Sequence, residues 1–180
     1  MQMRMLLFGM LFAGLAARSS AAVVESSPAT LLMRNEVTIA ATPHRTYEAL
    51  LQPASWWSPQ HTFSGDAKNL SLDARPGGCF CERFPKGGGV EHMRIIYLAP
   101  DQLIRMSGAL GPFQSAAVTG SMTWELTADA KQTTVRLTYA IGGFMSGGLD
   151  KIGPIADTVL LEQLQRLKRF VETGKADALK

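Results

Sequence analysis

The chain has 180 residues, of which 46% are hydrophobic, 18% are charged and 8% are aromatic. This composition is typical of a globular protein and excludes a disordered, collagen-like or disulfide-framework chain, while the length is that of one domain. Lysine and arginine together exceed the acidic residues by three, so the chain is weakly basic, with a net charge of +3.

The N-terminus contains the three parts of a secretory signal. Arg4 is followed by an apolar run at 6–17, which is too short to cross a bilayer of about 30 Å as a helix. Small residues come next, and Ser20 and Ala22 occupy the small-x-small positions that signal peptidase recognises. The sequence therefore predicts a signal peptide at 1–22 and an exported protein, with an uncleaved membrane anchor as the alternative.

Cleavage at this site changes the charge of the protein. It leaves 158 residues and removes two arginines but no acidic residue, so the net charge falls from +3 to +1. A nearly neutral protein lacks the positive surface that nucleic acids and anionic membranes attract. We therefore expect no nucleic-acid partner and no stable membrane insertion after cleavage.

The rest of the chain shows one composition regime without internal repeats. We expect a linker at 23–32, one domain at 33–174 and a short C-terminal tail at 175–180. Nothing in the sequence defines an oligomeric state, and a monomer is the default expectation.

A strand and two short helices are predicted to open the domain. Residues 33–40 are rich in β-branched side chains and predict a strand. Thr42 can cap a helix that begins at Pro43 and ends at Leu51. A second short helical turn is expected at 54–57.

Strand patterns dominate the middle of the chain. Alternating apolar and polar residues, separated by glycine and proline turns, predict strands at 70–74, 79–84, 90–98, 102–108, 116–127 and 133–141. This alternation is typical of an antiparallel sheet that is covered on one face and exposed to water on the other.

A long amphipathic helix is predicted at the C-terminus. Pro154 fits its first turn, Gly174 fits the residue after its end, and apolar residues recur at helical spacing between them. No other predicted element is long enough to cover the sheet, so the sequence predicts an α+β domain.

This order of elements resembles the START-like, or SRPBCC, superfamily, in its branch of polyketide cyclases and chaperone-ATPase activators. Four segments carry the resemblance, namely 36–57, 70–82, 92–114 and 147–170. The resemblance implies the helix-grip fold, in which a curved antiparallel sheet wraps around a long C-terminal helix and two short helices follow the first strand. Together with the signal, it also implies a bacterial periplasmic protein.

The resemblance further implies a cavity between sheet and helix, which in the superfamily holds lipids, polyketides, sterols and other hydrophobic molecules. A mixed methionine and aromatic lining suits irregular apolar ligands. From the sheet we expect Met93, Ile95, Met106, Met122, Trp124, Leu137 and Tyr139 to line it, and from the helix Ile152, Ala156, Val159 and Leu160. The alternative is a solid core, which the same residues would fill equally well.

Two loops are candidates for the entrance of this cavity. Trp56 and Trp57 are adjacent, so one is expected to anchor the core while the other guards the entrance. Phe113 lies in a glycine- and proline-containing loop that would suit an entrance flap or a plain strand connection.

The cysteines and histidines do not form a recognisable metal site. Cys79 and Cys81 lie on one face of a predicted strand, and we expect two separate thiols, because a disulfide would close a very short loop. The histidines, His44, His61 and His92, are scattered along the chain. We therefore expect neither a metal nor a cofactor.

His92 is the candidate acid–base residue. It faces Cys79 or Glu82 across a predicted hairpin with its tip at 87–89, and Tyr139 could assist it. The alternative is a histidine that is hydrogen-bonded for structural reasons only.

The sequence favours an exported protein that binds a hydrophobic small molecule, such as a lipid, an isoprenoid or a polyketide-like compound, without transforming it. Binding is favoured over catalysis because no nucleophile, base and orienting group converge in a known motif. A cyclase- or hydrolase-type enzyme with His92 as acid or base is the first alternative. An interaction protein like the chaperone activators is the second, which export disfavours because ATP-driven partners are cytosolic.

Overall fold

Eight strands form one antiparallel sheet in the computed structural model, which describes residues 20–129 and 131–177. The strands are β1 (Ser20–Ser26), β2 (Thr30–Ile39), β3 (Leu70–Leu72), β4 (Cys79–Arg83), β5 (Gly89–Ala99), β6 (Leu103–Gly108), β7 (Ala117–Asp129) and β8 (Gln132–Phe144). Their order in the sheet is β1-β2-β8-β7-β6-β5-β4-β3. The helices are α1 (Pro43–Leu50), α2 (Pro53–Trp56) and α3 (Leu149–Thr173). This architecture confirms the predicted α+β helix-grip fold, with a curved sheet around the C-terminal helix.

The two longest strands confirm the predicted alternation. In β7, Met122 and Trp124 are buried, and in β8 so are Leu137 and Tyr139. Register pairs Met122 with Tyr139 and Trp124 with Leu137, so the four side chains share the concave face. The helix α3 covers this face with a stripe of leucines that includes Leu164.

The first two helices form where the sequence predicts them. Thr42 caps α1, its side chain accepting a hydrogen bond from the backbone N–H of Arg45, and Pro43 opens the helix. The indole N–H of Trp56 donates to the carbonyl of Ala49 at 2.9 Å and ties α2 to α1. Trp56 therefore anchors the core, as expected of one of the two tryptophans.

The start of the C-terminal helix differs from the prediction. The helix begins at Leu149, and Pro154 lies within it rather than in its first turn. The side chain of Leu149 is fully buried, and its N–H donates to the carbonyl of Pro28 at 3.0 Å. These long-range contacts stabilise the first turn of α3, before Pro154. The sequence pattern within the helix does not reveal them. The predicted end is confirmed, because Gly174 caps the helix with a φ of 77°.

The predicted linker at 23–32 is wrong, because most of this segment belongs to strands. β1 pairs with β2, with Val23 opposite Met33 and Ser26 opposite Leu31. The strand β1 forms through its pairing with β2, a long-range contact that the local sequence does not reveal.

The ends of the chain are described in part. The predicted signal peptide at 1–22 falls largely outside the described residues, as does the end of the predicted tail. The described part of that tail packs back on α3, where Arg169 donates to the carbonyl of Ala176 at 2.7 Å. Within the described residues no helix is long and apolar enough to cross a membrane.

Candidate functional site

A cavity of about 620 Å³ lies between the concave face of the sheet, α3 and two loops. Its size is typical of small-molecule sites. The apolar lining residues are Met33, Trp57, Phe63, Leu70, Phe80, Leu110, Pro112, Phe113, Tyr139, Ile152, Ile155, Ala156, Val159 and Leu160. The polar lining residues are Gln60, His61, Thr62, His92, Gln114 and Ser115, and Gly111 completes the lining. Phe63 and Ile155 are 54% and 67% exposed, so the cavity opens to solvent beside them.

The loop after α2 forms one wall and is fastened to α3. The buried N–H of Ser58 donates to the side-chain carbonyl of Gln163 at 2.8 Å. His61 lies 3.0 Å from the carboxylate of Glu162, and its backbone carbonyl accepts a hydrogen bond from the indole of Trp57. These contacts place Trp57 in a wall of the cavity, where its side chain is buried. The opening lies beside Phe63 and Ile155, so a tryptophan that guards the entrance stays a prediction.

The loop after β6 forms the opposite wall and is fastened by Tyr139. The phenol oxygen accepts a hydrogen bond from the N–H of Leu110 at 3.2 Å and donates to the carbonyl of Gly108 at 3.3 Å. The ring contacts Phe113 edge-on, with 6.3 Å between centroids. Burial raises the pKa of Tyr139 to about 12, so the phenol remains protonated and its role here is to position the loop.

The cavity contains half of the residues predicted to line it. Those that line it are Trp57, Phe113, Tyr139, Ile152, Ala156, Val159 and Leu160. Those that do not are Trp56, Met93, Ile95, Met106, Met122, Trp124 and Leu137, which are buried in the packed core. The space left beside Trp56 and Trp124 is only about 20 Å³. Both predictions, a cavity and a solid core, therefore hold for different parts of the same interface.

Sequence reasoning missed most of the loop residues and several strand residues of the lining. Phe63 and Leu110 reach the cavity only because the two loops are fastened by partners far away in sequence, such as Gln163 and Tyr139. Alternation in the short strands β3 and β4 marks Leu70 and Phe80 as inward-facing, and this signal was available for both.

A β-bulge turns His92 toward the interior. Across β4 and β5, Phe80 pairs with Met93 and Cys81 with Glu91, so the register skips His92. His92 and Met93 are consecutive in sequence and both are buried. Bulges of this kind redirect a side chain at the edge of a site, and here the histidine ring contacts Phe80 with 5.1 Å between centroids.

His92, at the bulge, pairs with Glu82, which is one of the two partners that the sequence predicted. Its Nε2 lies 3.0 Å from a carboxylate oxygen of Glu82, whose side chain is fully buried. The same carboxylate accepts hydrogen bonds from the backbone N–H groups of Phe63, at 3.0 Å, and Ser64. Glu82 therefore joins the loop after α2 to the sheet at the cavity wall. Tyr139, the predicted assistant, makes its hydrogen bonds elsewhere.

Burial and hydrogen bonding set the charges of this pair. Burial opposes the ionisation of Glu82, but the hydrogen bonds from Ser64, Phe63 and His92 outweigh it and lower the pKa of the carboxyl. Burial also lowers the pKa of His92, against the opposing pull of Glu82. The stable arrangement is thus a carboxylate that accepts from Nε2–H of a neutral imidazole.

The cysteines form a disulfide, which corrects the prediction of two separate thiols. Cys79 and Cys81 are joined, with 5.4 Å between their Cα atoms, within the range that a disulfide needs. They face away from the side of β4 that carries Phe80 and Glu82. This removes Cys79 as a partner for His92.

The pH dependence of stability provides a test of the buried histidine. Folding lowers the pKa of His92, so the folded state favours the neutral ring. Below the pKa of histidine in the unfolded chain, near 6.5, the unfolded state takes up a proton more readily than the folded state. The free energy of unfolding therefore decreases as the pH falls below that value. Between about pH 6.5 and 5.5 we expect His92→Gln to lose less unfolding free energy than the wild type, by at most about 1.4 kcal/mol. Urea unfolding at both pH values measures the change.

The exposed Thr158 supplies the control for this measurement, because its side chain carries no charge in this pH range. Thr158→Gln should leave the pH dependence as in the wild type. Equal pH dependence in the wild type and His92→Gln would show that His92 is charged to the same extent in both states.

Comparison with known proteins identifies the fold. No protein-family model and no curated protein sequence matches the chain. A conserved protein of unknown function from Enterococcus faecalis is similar in structure, with a TM-score of 0.58 and 17% identity over 90% of this chain and 80% of that one. DynU16, from the dynemicin biosynthetic locus, has a TM-score of 0.58 and 20% identity over 81% of this chain and 48% of its own. The chain has the helix-grip fold.

A further structural neighbour shares this fold. The Aha1 protein from Colwellia psychrerythraea, solved as a dimer, has a TM-score of 0.52 and 23% identity over 80% of this chain and 98% of its own. At such low identities the likeness establishes the fold alone.

Proposed function

We propose that this protein is exported and binds an apolar small molecule, of lipid, isoprenoid or polyketide-like character, in the cavity between the sheet and α3. The observation that carries this proposal is the cavity of about 620 Å³, mostly apolar in its lining, beside a core that is otherwise tightly packed. Trp56 and Trp124 fill one end of the space between the sheet and α3. Side chains of similar size at the other end would fill the cavity in the same way. The open end is therefore a feature that selection for stability alone would not retain.

The expected affinity follows from burial of apolar surface. Each 100 Å² removed from water contributes about 2.5 kcal/mol, and the ordering of ligand and side chains opposes it. Phe63 and Ile155 are the exposed apolar residues of the lining and would gain most from a bound molecule.

The polar groups of the site hold the walls of the cavity, which supports binding more than catalysis. Glu82 accepts hydrogen bonds from two backbone N–H groups of one loop, and Tyr139 fastens the other loop. Cys79 and Cys81 are joined and offer no thiol. The hydroxyl of Tyr139 is engaged by Leu110 and Gly108, so it is not free to act with His92.

Native mass spectrometry of the protein from its own host's exported fraction tests this proposal. We expect a chain that lacks residues 1–22 and carries an additional apolar molecule, which is released on denaturation. An unoccupied chain would contradict tight binding, and a chain that retains the first 22 residues would contradict cleavage at Ala22. The variant Ala156→Trp, purified in the same way, is the control and should carry no added mass because the new side chain occupies the cavity.

An enzyme of the cyclase or hydrolase type is the second candidate, favoured by the pair of Glu82 and His92 at the cavity wall. A carboxylate that orients an imidazole is the usual arrangement of a general base. Under this hypothesis His92→Ala abolishes turnover of the bound molecule and leaves binding intact, and an unaltered rate would exclude it. The chaperone-activator hypothesis has only the likeness in fold to the Aha1 structure in its favour.

A further inference from the structure

The imidazole of His92 has one nitrogen without a protein partner. Its Nδ1 is buried and makes no hydrogen bond within residues 20–129 and 131–177, while Nε2 is engaged by Glu82. The ring lines the cavity and the residue is only 6% exposed. Buried polar atoms are almost always hydrogen-bonded, so an orphaned nitrogen at a cavity wall requires an explanation.

The hydrogen bonds of Glu82 decide which kind of partner this nitrogen can take. The carboxylate of Glu82 accepts hydrogen bonds from the backbone N–H groups of Phe63 and Ser64 and has no hydrogen to donate. It therefore also accepts the hydrogen bond from Nε2 of His92, and Nε2 carries the ring proton. In a neutral imidazole the other nitrogen then has a lone pair and no hydrogen. Nδ1 is thus a hydrogen-bond acceptor, and its missing partner is a donor.

The charges around the cavity restrict the ligand further. Among the described residues, no lysine, arginine, aspartate or glutamate side chain lines the cavity. The buried carboxylate of Glu82, one hydrogen bond behind His92, would repel an anion placed against the ring. A fatty acid or a phosphate ester would find no lysine or arginine among these residues, and His61 is already engaged by Glu162. An uncharged molecule meets no repulsion from Glu82.

The aromatic neighbours of the ring show how a ligand could reach the nitrogen. Phe80 is 4% exposed and fixed in the core, and Phe63 is 54% exposed at the edge of the cavity. Since the backbone N–H of Phe63 is held by Glu82, its side chain can turn toward solvent without moving the loop.

From these observations we propose that the ligand is an uncharged, largely apolar molecule that carries a hydroxyl group, which donates a hydrogen bond to Nδ1 of His92 after displacing the side chain of Phe63. This inference rests on the proposed binding function and specifies the chemistry of its ligand. His92 then acts as the polar anchor that sets the orientation of the molecule, and the apolar lining supplies most of the affinity.

Three matched probes test this inference by isothermal titration calorimetry. They are 2-naphthol, 2-methylnaphthalene and 2-naphthoate, which share one ring system and differ in carrying a donor, a methyl group or a charge. At about pH 7.5, where the naphthol is uncharged, we expect the wild type to prefer 2-naphthol over 2-methylnaphthalene by about tenfold, the worth of one neutral hydrogen bond. We expect 2-naphthoate to bind most weakly.

The variant His92→Phe keeps a ring and removes the acceptor. It should bind 2-naphthol and 2-methylnaphthalene equally, with the affinity for 2-methylnaphthalene unchanged within a few-fold. A preference that persists in this variant, or a wild type that prefers 2-naphthoate or shows no preference, would overturn the role of His92 while leaving the binding cavity intact. If none of the three probes binds the wild type, the proposed function and this inference both fail.

A measurement on the wild type alone covers the case in which His92→Phe does not fold. The chain contains three histidines, so their ¹⁵N resonances can be resolved and assigned. The Nδ1 resonance of His92 should shift on addition of 2-naphthol and remain in place with 2-methylnaphthalene. Equal shifts with both probes would contradict a hydrogen bond from the hydroxyl.

Discussion

Replacement of Glu82 by alanine is expected to lower the free energy of unfolding by about 3 kcal/mol or more. The carboxylate is fully buried and accepts hydrogen bonds from Phe63, Ser64 and His92. Its removal leaves the buried ring of His92 and two part-buried backbone N–H groups without an acceptor. Each such loss costs about 1–3 kcal/mol, less whatever the loop recovers by moving and by contact with water. Urea unfolding at neutral pH measures the difference.

Glu36→Ala is the control for this prediction. Glu36 pairs with Arg136 at the surface, with both side chains close to half exposed, so its loss should change stability by less than about 1 kcal/mol. If Glu82→Ala is no more destabilised than Glu36→Ala, the buried carboxylate does not hold the loop to the sheet.

Hydrogen exchange adds a local readout to the same variant. The backbone N–H groups of Phe63 and Ser64 donate to Glu82 and should be protected in the wild type. In Glu82→Ala they should exchange faster, while amides in the central strands β7 and β8 remain protected. A uniform loss of protection would indicate general destabilisation in place of a detached loop.

Replacement of Ala156 by tryptophan is expected to weaken binding of 2-methylnaphthalene about a hundredfold and to leave the fold intact. Ala156 lies on α3 and lines the cavity, so the indole would occupy the space that the probe needs. A hundredfold loss corresponds to about 2.7 kcal/mol, the worth of about 110 Å² of apolar burial. Calorimetric titration measures the affinity, and circular dichroism verifies the fold.

Thr158→Trp provides the matched control two residues further along α3. Thr158 is exposed and is not part of the cavity lining, so the same side chain placed there should not affect binding. If both tryptophan variants bind the probe as the wild type does, the ligand does not occupy this cavity.

The fold is largely predictable from the sequence because its signals are local. The alternation of β7 and β8, the cap at Thr42 and the glycine after α3 each report on a few neighbouring residues, and all are confirmed. The errors arose where distant residues decide the local structure. β1 became a strand through its pairing with β2, and the first turn of α3 formed because Leu149 is buried and bonded to Pro28.

The candidate site was predictable only in part, for the same reason. Alternation identifies the concave face of the sheet but does not distinguish the filled part, around Trp56 and Trp124, from the open part beside Tyr139. The spacing of Cys79 and Cys81 placed both on one face, yet only the backbone geometry, with 5.4 Å between their Cα atoms, allows the bond.

By itself, the sequence determined the class of the fold and the inward faces of its strands and helix, and it named Glu82 as one of two candidate partners for His92. The tertiary structure decided where the cavity lies and which nitrogen of His92 has no partner among the described residues. Periodicity is a property of neighbouring residues, and it defines which side of an element is apolar. The volume left between two apolar faces depends on loops fastened across the whole fold, by Glu82, Tyr139 and Gln163, so it is not recorded in any local pattern.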